Sequence, residues 1–317
     1  MELQPIIPFE PVKTEQIPVG PEWIAQVKWD GIRMLAYCSN EQVRLVNRRL
    51  HDRTLQYPEL LQPWVYCSAS SFILDGELVA FDGGKPSFHE IMKRDSLRRQ
   101  QAITQAVSRV PVVYMVFDVL LTDDRWVTEL PLSQRQALLQ DMIKPDQQLV
   151  QPVQSFPDGD ALFRAVSEQQ LEGVVLKRLD GAYLINGKDK RWMKRKISRD
   201  LYAVIGGVTF RDKVVNSLLL GLYTPKGQLM YIGHAGTGQL TIQDWSSLTE
   251  RVKPLALSTI PFNAKPPLLR ETIWVKPQLV VKVDFLEWTP GGTMRHPSIE
   301  SIVEHMAPAE CTIEQIK

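Results

Sequence analysis

Hydrophobic and polar positions alternate in short runs through the first part of the chain, the period-two signature of strands with one buried face. Residues 23–27, 33–38, 42–47, 72–74, 78–81 and 112–119 carry this pattern. Helical spacing interrupts them. Residues 88–107 predict one exposed, Arg-rich helix, Ser133 with Gln136 forms a capping box for a helix ending near Ile143, and residues 160–169 predict a third. Gly173 then releases the chain into a strand over 174–177. Elements in this order predict an α+β fold with mainly antiparallel strands.

The texture changes after a charge run at 177–199, which holds nine Lys/Arg against only Asp180 and Asp189. Beyond it come Gly-punctuated β segments at 201–208, 217–223, 229–232 and 279–286, with one helix around 242–252. Some five strands and one helix in about 115 residues suit a small Greek-key barrel of the OB type. The predicted boundary lies near 198–201. It divides the chain into a first domain, 1–199, and an OB-fold domain, 200–317, with no internal repeat or low-complexity tract.

Composition narrows the setting. A length of 317 residues accommodates two domains and little more. Lys and Arg number 37 against 36 Asp and Glu, a net charge of +1 that by itself argues against a nucleic-acid partner. The charge run changes that picture, because the neutral total hides a strongly basic segment. Cys38, Cys67 and Cys311 are odd in number, widely separated and free of any C-x-x-C, so neither a disulfide framework nor a zinc module is predicted. There is no signal-peptide pattern at the N-terminus and no run of 18 apolar residues, so the expected location is cytoplasmic, nucleoid-associated if the source is bacterial, without membrane insertion.

The most informative stretch is Gln26-Val27-Lys28-Trp29-Asp30-Gly31-Ile32-Arg33, where an apolar strand delivers a lysine just before an Asp-Gly turn. Such a lysine is either a surface charge or a nucleophile on a rigid support. Downstream, at predicted strand ends, lie Asp75-Gly76-Glu77, Glu172-Gly173 leading to Lys177, and Trp192-Met193-Lys194-Arg195-Lys196. Phosphoryl chemistry needs this inventory: carboxylates for Mg²⁺, cations to offset a triphosphate, and a nucleophile. A lysine attacks only as the neutral amine, and neighbouring cations with partial burial favour that form. Plainer readings stand beside these. Trp29 and Trp192 suit a core, His296 beside Pro297 suits a structural role, and residues 233–238 suit a barrel turn, there being no G-x-x-x-x-G-K-[ST]. Asp118 suits a strand partner, and Lys93, Arg94, Arg98 and Arg99 suit either a solvated face or contacts to a phosphate backbone.

These spaced motifs resemble those of the covalent nucleotidyltransferase superfamily, which contains the ATP-dependent DNA ligases, RNA ligases and mRNA-capping enzymes. K-x-D-G-x-R is matched by Lys28, Asp30, Gly31 and Arg33. The resemblance implies a lysyl phosphoramidate on Lys28, with Arg33 on the nucleotide or a nucleic-acid phosphate. In the motif S-R-x-G-x-x-x-T, Arg48 and Thr54 match while Asn47 and Leu50 replace Ser and Gly. Arg48 is thereby a ribose or 5′-phosphate contact. By the same resemblance Glu77 is a metal or ribose ligand and Glu172 a metal ligand. Phe117 stacks on the purine, Lys177 lies near the phosphates, and Lys194 and Lys196 serve the α-phosphate and the activation of Lys28. Gln26 stands where relatives carry Glu for the adenine amine, keeping a carbonyl oxygen; ATP is expected over GTP.

Tyr231 to Gly238, Val281 to Thr289 and Met294-Arg295-His296-Pro297-Ser298 resemble the OB domain of bacterial end-joining ligases. Arg295 is implied for the leaving pyrophosphate, although the R-x-D-K-like ending is replaced by Ile299 to Glu304. The expected activity is ATP-dependent sealing of nicked duplex DNA with Mg²⁺, or Mn²⁺ in its place. RNA ligase, capping guanylyltransferase and a non-catalytic nucleic-acid binder remain alternatives. A monomer is expected, with an OB domain that swings between steps and no separate DNA-encircling domain before Lys28. A Ku-like end-binding protein is the implied recruiter.

Overall fold

The computed structural model describes residues 3–197, 199–236, 238–266, 272–289 and 291–316. The chain divides into two units, Met1–Ile197 and Ser198–Lys317. Ser198, at the predicted boundary, and Thr237, within a quoted motif, lie outside the described residues.

In the first unit β1 (Glu10–Lys13), which the pattern did not mark, precedes the strands formed by the alternating segments, among them β2 (Trp23–Val27), β3 (Ile32–Ser39), β4 (Gln42–Asn47) and β5 (Phe72–Asp82). Two sheets result. One runs Glu10–Lys13, Lys188–Lys196, Gly173–Arg178, β2 and Ser155–Phe156; the other runs β4, β3, β5, Val112–Thr122 and Arg125–Trp126. Pairing is antiparallel except that β1 joins Lys188–Lys196 in parallel and Val150–Pro152 joins Val112–Thr122 in parallel. Period-two alternation gives each sheet two apolar faces. Leu35, Tyr37, Ile73 and Leu120 of one sheet share a core with Trp192 of the other, completed by Phe9 and Tyr183. On the outer faces, Ala25, Val174 and Leu176 pack with Leu162 and Val166 of helix Gly159–Glu168, and Met34, Leu74 and Val116 share a core with Ile91 and Leu139 of other helices.

Four expectations are corrected. Asp75-Gly76-Glu77 lies inside one continuous strand, β5, because the Arg33 guanidinium on β3 neutralises Asp75 and lets an Asp-Gly pair remain in the sheet. The predicted 88–107 helix is two helices, Phe88–Asp95 and Gln100–Arg109. Arg94 on the first is fully buried, donating to Glu59, Gln56 O and Val110 O, so it cannot serve as a phosphate contact. The helix predicted from a Ser133–Gln136 capping box, Leu132–Met142, begins one residue before Ser133 after Pro131, with no side-chain cap.

The second unit is the OB barrel. Arg199–Arg211, Val214–Tyr223 and Leu229–Ala235 form a meander. The first strand bends at a bulge between Ile205 and Gly207, pairing with Val280–Phe285 before it and with Ile273–Val275 after it. Ser298–Val303 joins Val280–Phe285, and a bridge between Ile299 and Gly238, just past the Leu229–Ala235 strand, connects the ring. Gly233 to Ala235 is thus strand, where sequence predicted a turn. Helix Ile242–Val252 starts with a capping box from Thr241 and Asp244.

Candidate active site

The spacing of the motifs follows from strand alternation. Ala25, Val174, Leu176 and Met193 face the outer helix, so Gln26, Lys177, Trp192, Lys194 and Lys196, at odd offsets from these along their strands, share the opposite face with Val175. In register, Val175 stands between Gln26 and Lys194, and Gly173 stands opposite Lys196. Lys28 follows β2 directly, and its N–H donates to Gly173 O at 2.9 Å. The other sheet supplies Arg33, paired in register with Glu77, and Leu35, paired with Asp75.

Two motif glycines are required by close approach. A Cβ on Gly31 would lie 2.1 Å from Leu78 O, and one on Gly173, whose φ is +140°, would lie 2.2 Å from Arg195 O. Gly173→Ala is therefore expected to push apart the strands that carry Glu172 and Lys196. It should lower Tm by an amount corresponding to about 2 kcal/mol or more, with nucleotide attachment falling in parallel. A variant with unchanged Tm would refute this account.

Glu172 is the electrostatic hub. Its Oε2 accepts from Lys28 Nζ at 2.5 Å and its Oε1 pairs with Lys196 Nζ at 2.9 Å. Burial pushes the Glu172 carboxyl up, but Lys28 and Lys196 outweigh it and hold the group below its ordinary range. Lys194 is pushed down, first by burial and then by the like charges of Lys28 and Lys196. Burial lifts Glu77 to about 8 against the pull of Lys28 and Arg33, with Glu172 and Asp75 adding to the rise.

The two carboxylates implied for Mg²⁺ differ in fit. Glu77 is a desolvated carboxyl beside another carboxylate, a setting that a divalent cation relieves. Mg²⁺ takes one or two carboxylates and completes its shell with phosphate and water oxygens, so a single carboxylate such as Glu77 fits that ion. Glu172 has both oxygens engaged by lysines. In this arrangement the carboxylate holds the Lys28 and Lys196 ammonium groups on either side of it.

The remaining expected residues take varied positions. Arg33 does not point to an open phosphate site; it forms a bidentate pair with buried Asp75 at 2.9 and 2.6 Å. Tyr183 completes that cluster by donating to Asp75 Oδ2 at 2.7 Å while accepting from Phe9 N–H. Lys177 is fully buried against Phe117 and Trp192. The buried Gln26 amide nitrogen donates to Ser155 Oγ at 3.1 Å, which leaves its carbonyl oxygen as the acceptor. Arg295 belongs to the second unit, where it pairs with Glu287 at 2.7 Å.

Arg48 is exposed and pairs with Glu10 at 3.4 Å. It sits in a turn organised by Asn47, whose Oδ1 accepts from the N–H groups of Arg49 and His51. Leu50, at the family's Gly position, has φ +61°. Leu50→Gly is expected to stabilise the fold by up to about 1 kcal/mol by removing a left-handed non-glycine residue. A thermal melt that shows a lower Tm would contradict the strain argument.

Sequence reasoning missed Tyr183 and Arg135. Arg135 forms a buried bidentate pair with Asp118 at 2.7 and 2.9 Å, so Asp118 is more than a strand partner. No local motif marks either residue, because their partners are distant along the chain.

Two family models match the chain: an ATP dependent DNA ligase domain over residues 12–196 and an ATP dependent DNA ligase C terminal region over 211–304. The multifunctional non-homologous end joining protein LigD of Mycolicibacterium smegmatis is 30% identical over 300 residues, covering 92% of this chain and 37% of that protein. A DNA ligase of Thermococcus fumicolans is 29% identical over 330 residues, covering 96% of this chain and 56% of its own length. The chain thus spans little over a third to just over half of these relatives. Among solved structures, a mycobacterial DNA ligase D complexed with ATP and MES matches at 28% identity and a TM-score of 0.53, covering 97% of this chain and 98% of that one. A Lig E DNA ligase shares the fold at 17% identity and a TM-score of 0.59, covering 93% and 99%.

Proposed function

The chain belongs to the ATP-dependent DNA ligase family, and from that membership we propose that it seals nicks in duplex DNA, carrying AMP first on Lys28 and then on the 5′-phosphate of the nick. The observation that carries this reading is the contact of Lys28 Nζ with Glu172 at 2.5 Å, with Lys196 on the other carboxylate oxygen and Lys194 on the same sheet face.

In the first step Lys28 Nζ attacks the α-phosphorus of ATP, forming the N–P bond of lysyl-AMP as the bond from that phosphorus to the bridging oxygen breaks and pyrophosphate leaves. Its ammonium must first shed a proton, and Glu172 fixes where the amine sits. Lys196, held by the same carboxylate, and Lys194, whose charge is crowded by its neighbours, offset the developing negative charge on the phosphoryl oxygens. Gln26 presents a carbonyl oxygen to the adenine amine, favouring ATP over GTP. Glu77 would hold Mg²⁺, which when bound would supply charge neutralisation for the triphosphate. AMP then passes to the 5′-phosphate of the nick, and attack by the 3′-hydroxyl releases it. A Ku-like recruiting partner and a monomeric state belong to the same proposal.

The test uses α-labelled ATP or GTP with Mg²⁺, followed by a chase onto nicked DNA or nicked RNA. Label from ATP on the protein, chased onto DNA, is expected. Label only from GTP, or a chase only onto RNA, would replace this reading with a capping enzyme or an RNA ligase.

A further inference from the structure

One buried cation has no place in the steps above. Lys177 is 1% exposed. Its Nζ lies 4.4 Å from the Phe117 ring centroid and 4.0 Å from that of Trp192, and it donates to the Phe117 carbonyl oxygen at 3.3 Å. The backbone sets this placement, since Lys177 stands directly opposite Trp192 on the neighbouring strand. The two rings meet edge to face, 5.9 Å apart at 80°. Arg33 also approaches both, at 5.3 and 5.7 Å, but it is held by Asp75.

A lysine that binds phosphate must present its ammonium to an anion arriving from solvent. Lys194 and Lys196 are partly exposed and suit that work. Lys177 has two aromatic faces and a carbonyl around it instead. A cation against a ring draws on the negative quadrupole of its face and fixes the ring's orientation, and desolvation strengthens the attraction.

We propose that Lys177 is a positioning residue for the base of the nucleotide: it braces the Phe117 ring and carbonyl as the platform on which the purine stacks, and does not hold a phosphate. This rests on the reading that Phe117 stacks on the purine. Lys177 then acts on affinity for the nucleoside and has little effect on the phosphoryl groups.

The experiment measures self-adenylation kinetics at pH 6, where Lys177 carries its charge, with adenosine and pyrophosphate as separate inhibitors, for the wild type, Lys177→Met, Lys177→Arg, Phe117→Ala and the Lys177→Met/Phe117→Ala double variant. Lys177→Met is expected to raise KM for ATP and Ki for adenosine about tenfold, the size of a desolvated cation–ring contact. Its kcat and its inhibition by pyrophosphate should stay within about twofold of wild type, because the contact is made equally before and during the reaction. Lys177→Arg should recover part of the adenosine affinity. The double variant should be no weaker than Phe117→Ala, since one residue acts through the other. Weakened pyrophosphate inhibition with unchanged adenosine affinity in Lys177→Met would show a phosphate ligand and overturn the proposal, as would additive losses in the double variant. Unchanged adenosine affinity in Phe117→Ala removes the platform and the proposal together. A loss there beside a normal Lys177→Met removes only the role of Lys177.

Discussion

Lys28→Ala is expected to abolish ATP-driven sealing while leaving the last step of the reaction largely intact. Lys28 Nζ lies on Glu172 Oε2, and the other oxygen of that carboxylate is held by Lys196. Removing the lysine side chain therefore deletes the nucleophile without removing the anchor of its neighbour. Loss of a covalent nucleophile costs on the order of 10⁶-fold where it has been measured as a unit. Labelled AMP should accordingly fail to attach to the protein. A nick already bearing AMP on its 5′-phosphate needs no such nucleophile, because the 3′-hydroxyl attacks directly. Lys194, Lys196 and Glu77 remain to stabilise that step. Sealing of a pre-adenylated nick by Lys28→Ala should stay within about tenfold of wild type. Label retained on the variant would mean that another residue carries AMP. Equal loss of both reactions would mean that Lys28 serves the site in a structural capacity.

The parts of this site legible in the sequence are those governed by the period of a strand. Gln26 and Lys28, or Lys194 and Lys196, are two apart because alternate residues share a face. Segments 23–27 and 42–47 were legible for the same reason, their buried faces being apolar. Strand Lys188–Lys196 was not, because its site-facing positions other than Trp192 are charged and its other positions are largely polar, leaving little hydrophobic alternation to read. The continuity of β5 was hidden by an Asp-Gly pair that ordinarily marks a turn; Arg33, 42 residues away, and Tyr183, more distant still, make it tolerable inside a sheet. Arg94 and Arg135 have the composition of a solvated surface. They are buried because Glu59 and Asp118, together with backbone carbonyls, satisfy their guanidinium groups. Local pattern thus exposed residues that share one face of a strand, whereas charges paired at long range required the folded chain.

Lys177→Met is expected to raise stability, and the size of the gain should depend on pH. Around Lys177 the cluster holds three cations, Arg33, Arg135 and Lys177, against two carboxylates, Asp75 and Asp118, each already in a bidentate pair with an arginine. The lysine is the unmatched charge. Burial brings its ammonium down to about 7 from an ordinary 10.5; Asp118 and Asp75 pull the other way, and Arg33 and Arg135 add to the fall. Replacing a buried charge by an apolar side chain of similar volume is often stabilising, by about 1–4 kcal/mol. Below pH 7 lysine is protonated in both folded and unfolded chains, so the cost of burying its charge is fully present. Between pH 7 and about 10.5 the folded chain has released this proton while the unfolded chain keeps it. The unfolded state then binds more protons, and wild-type stability rises with pH. The Tm advantage of Lys177→Met should therefore be largest at pH 6 and shrink steadily toward pH 10. A constant advantage would exclude titration of this group, and a lower Tm at pH 6 would show that the rings and the Phe117 carbonyl more than compensate the buried charge. A stabilising substitution at this position that also weakens adenosine binding would identify what the fold gains by keeping an unmatched ammonium under its aromatic platform.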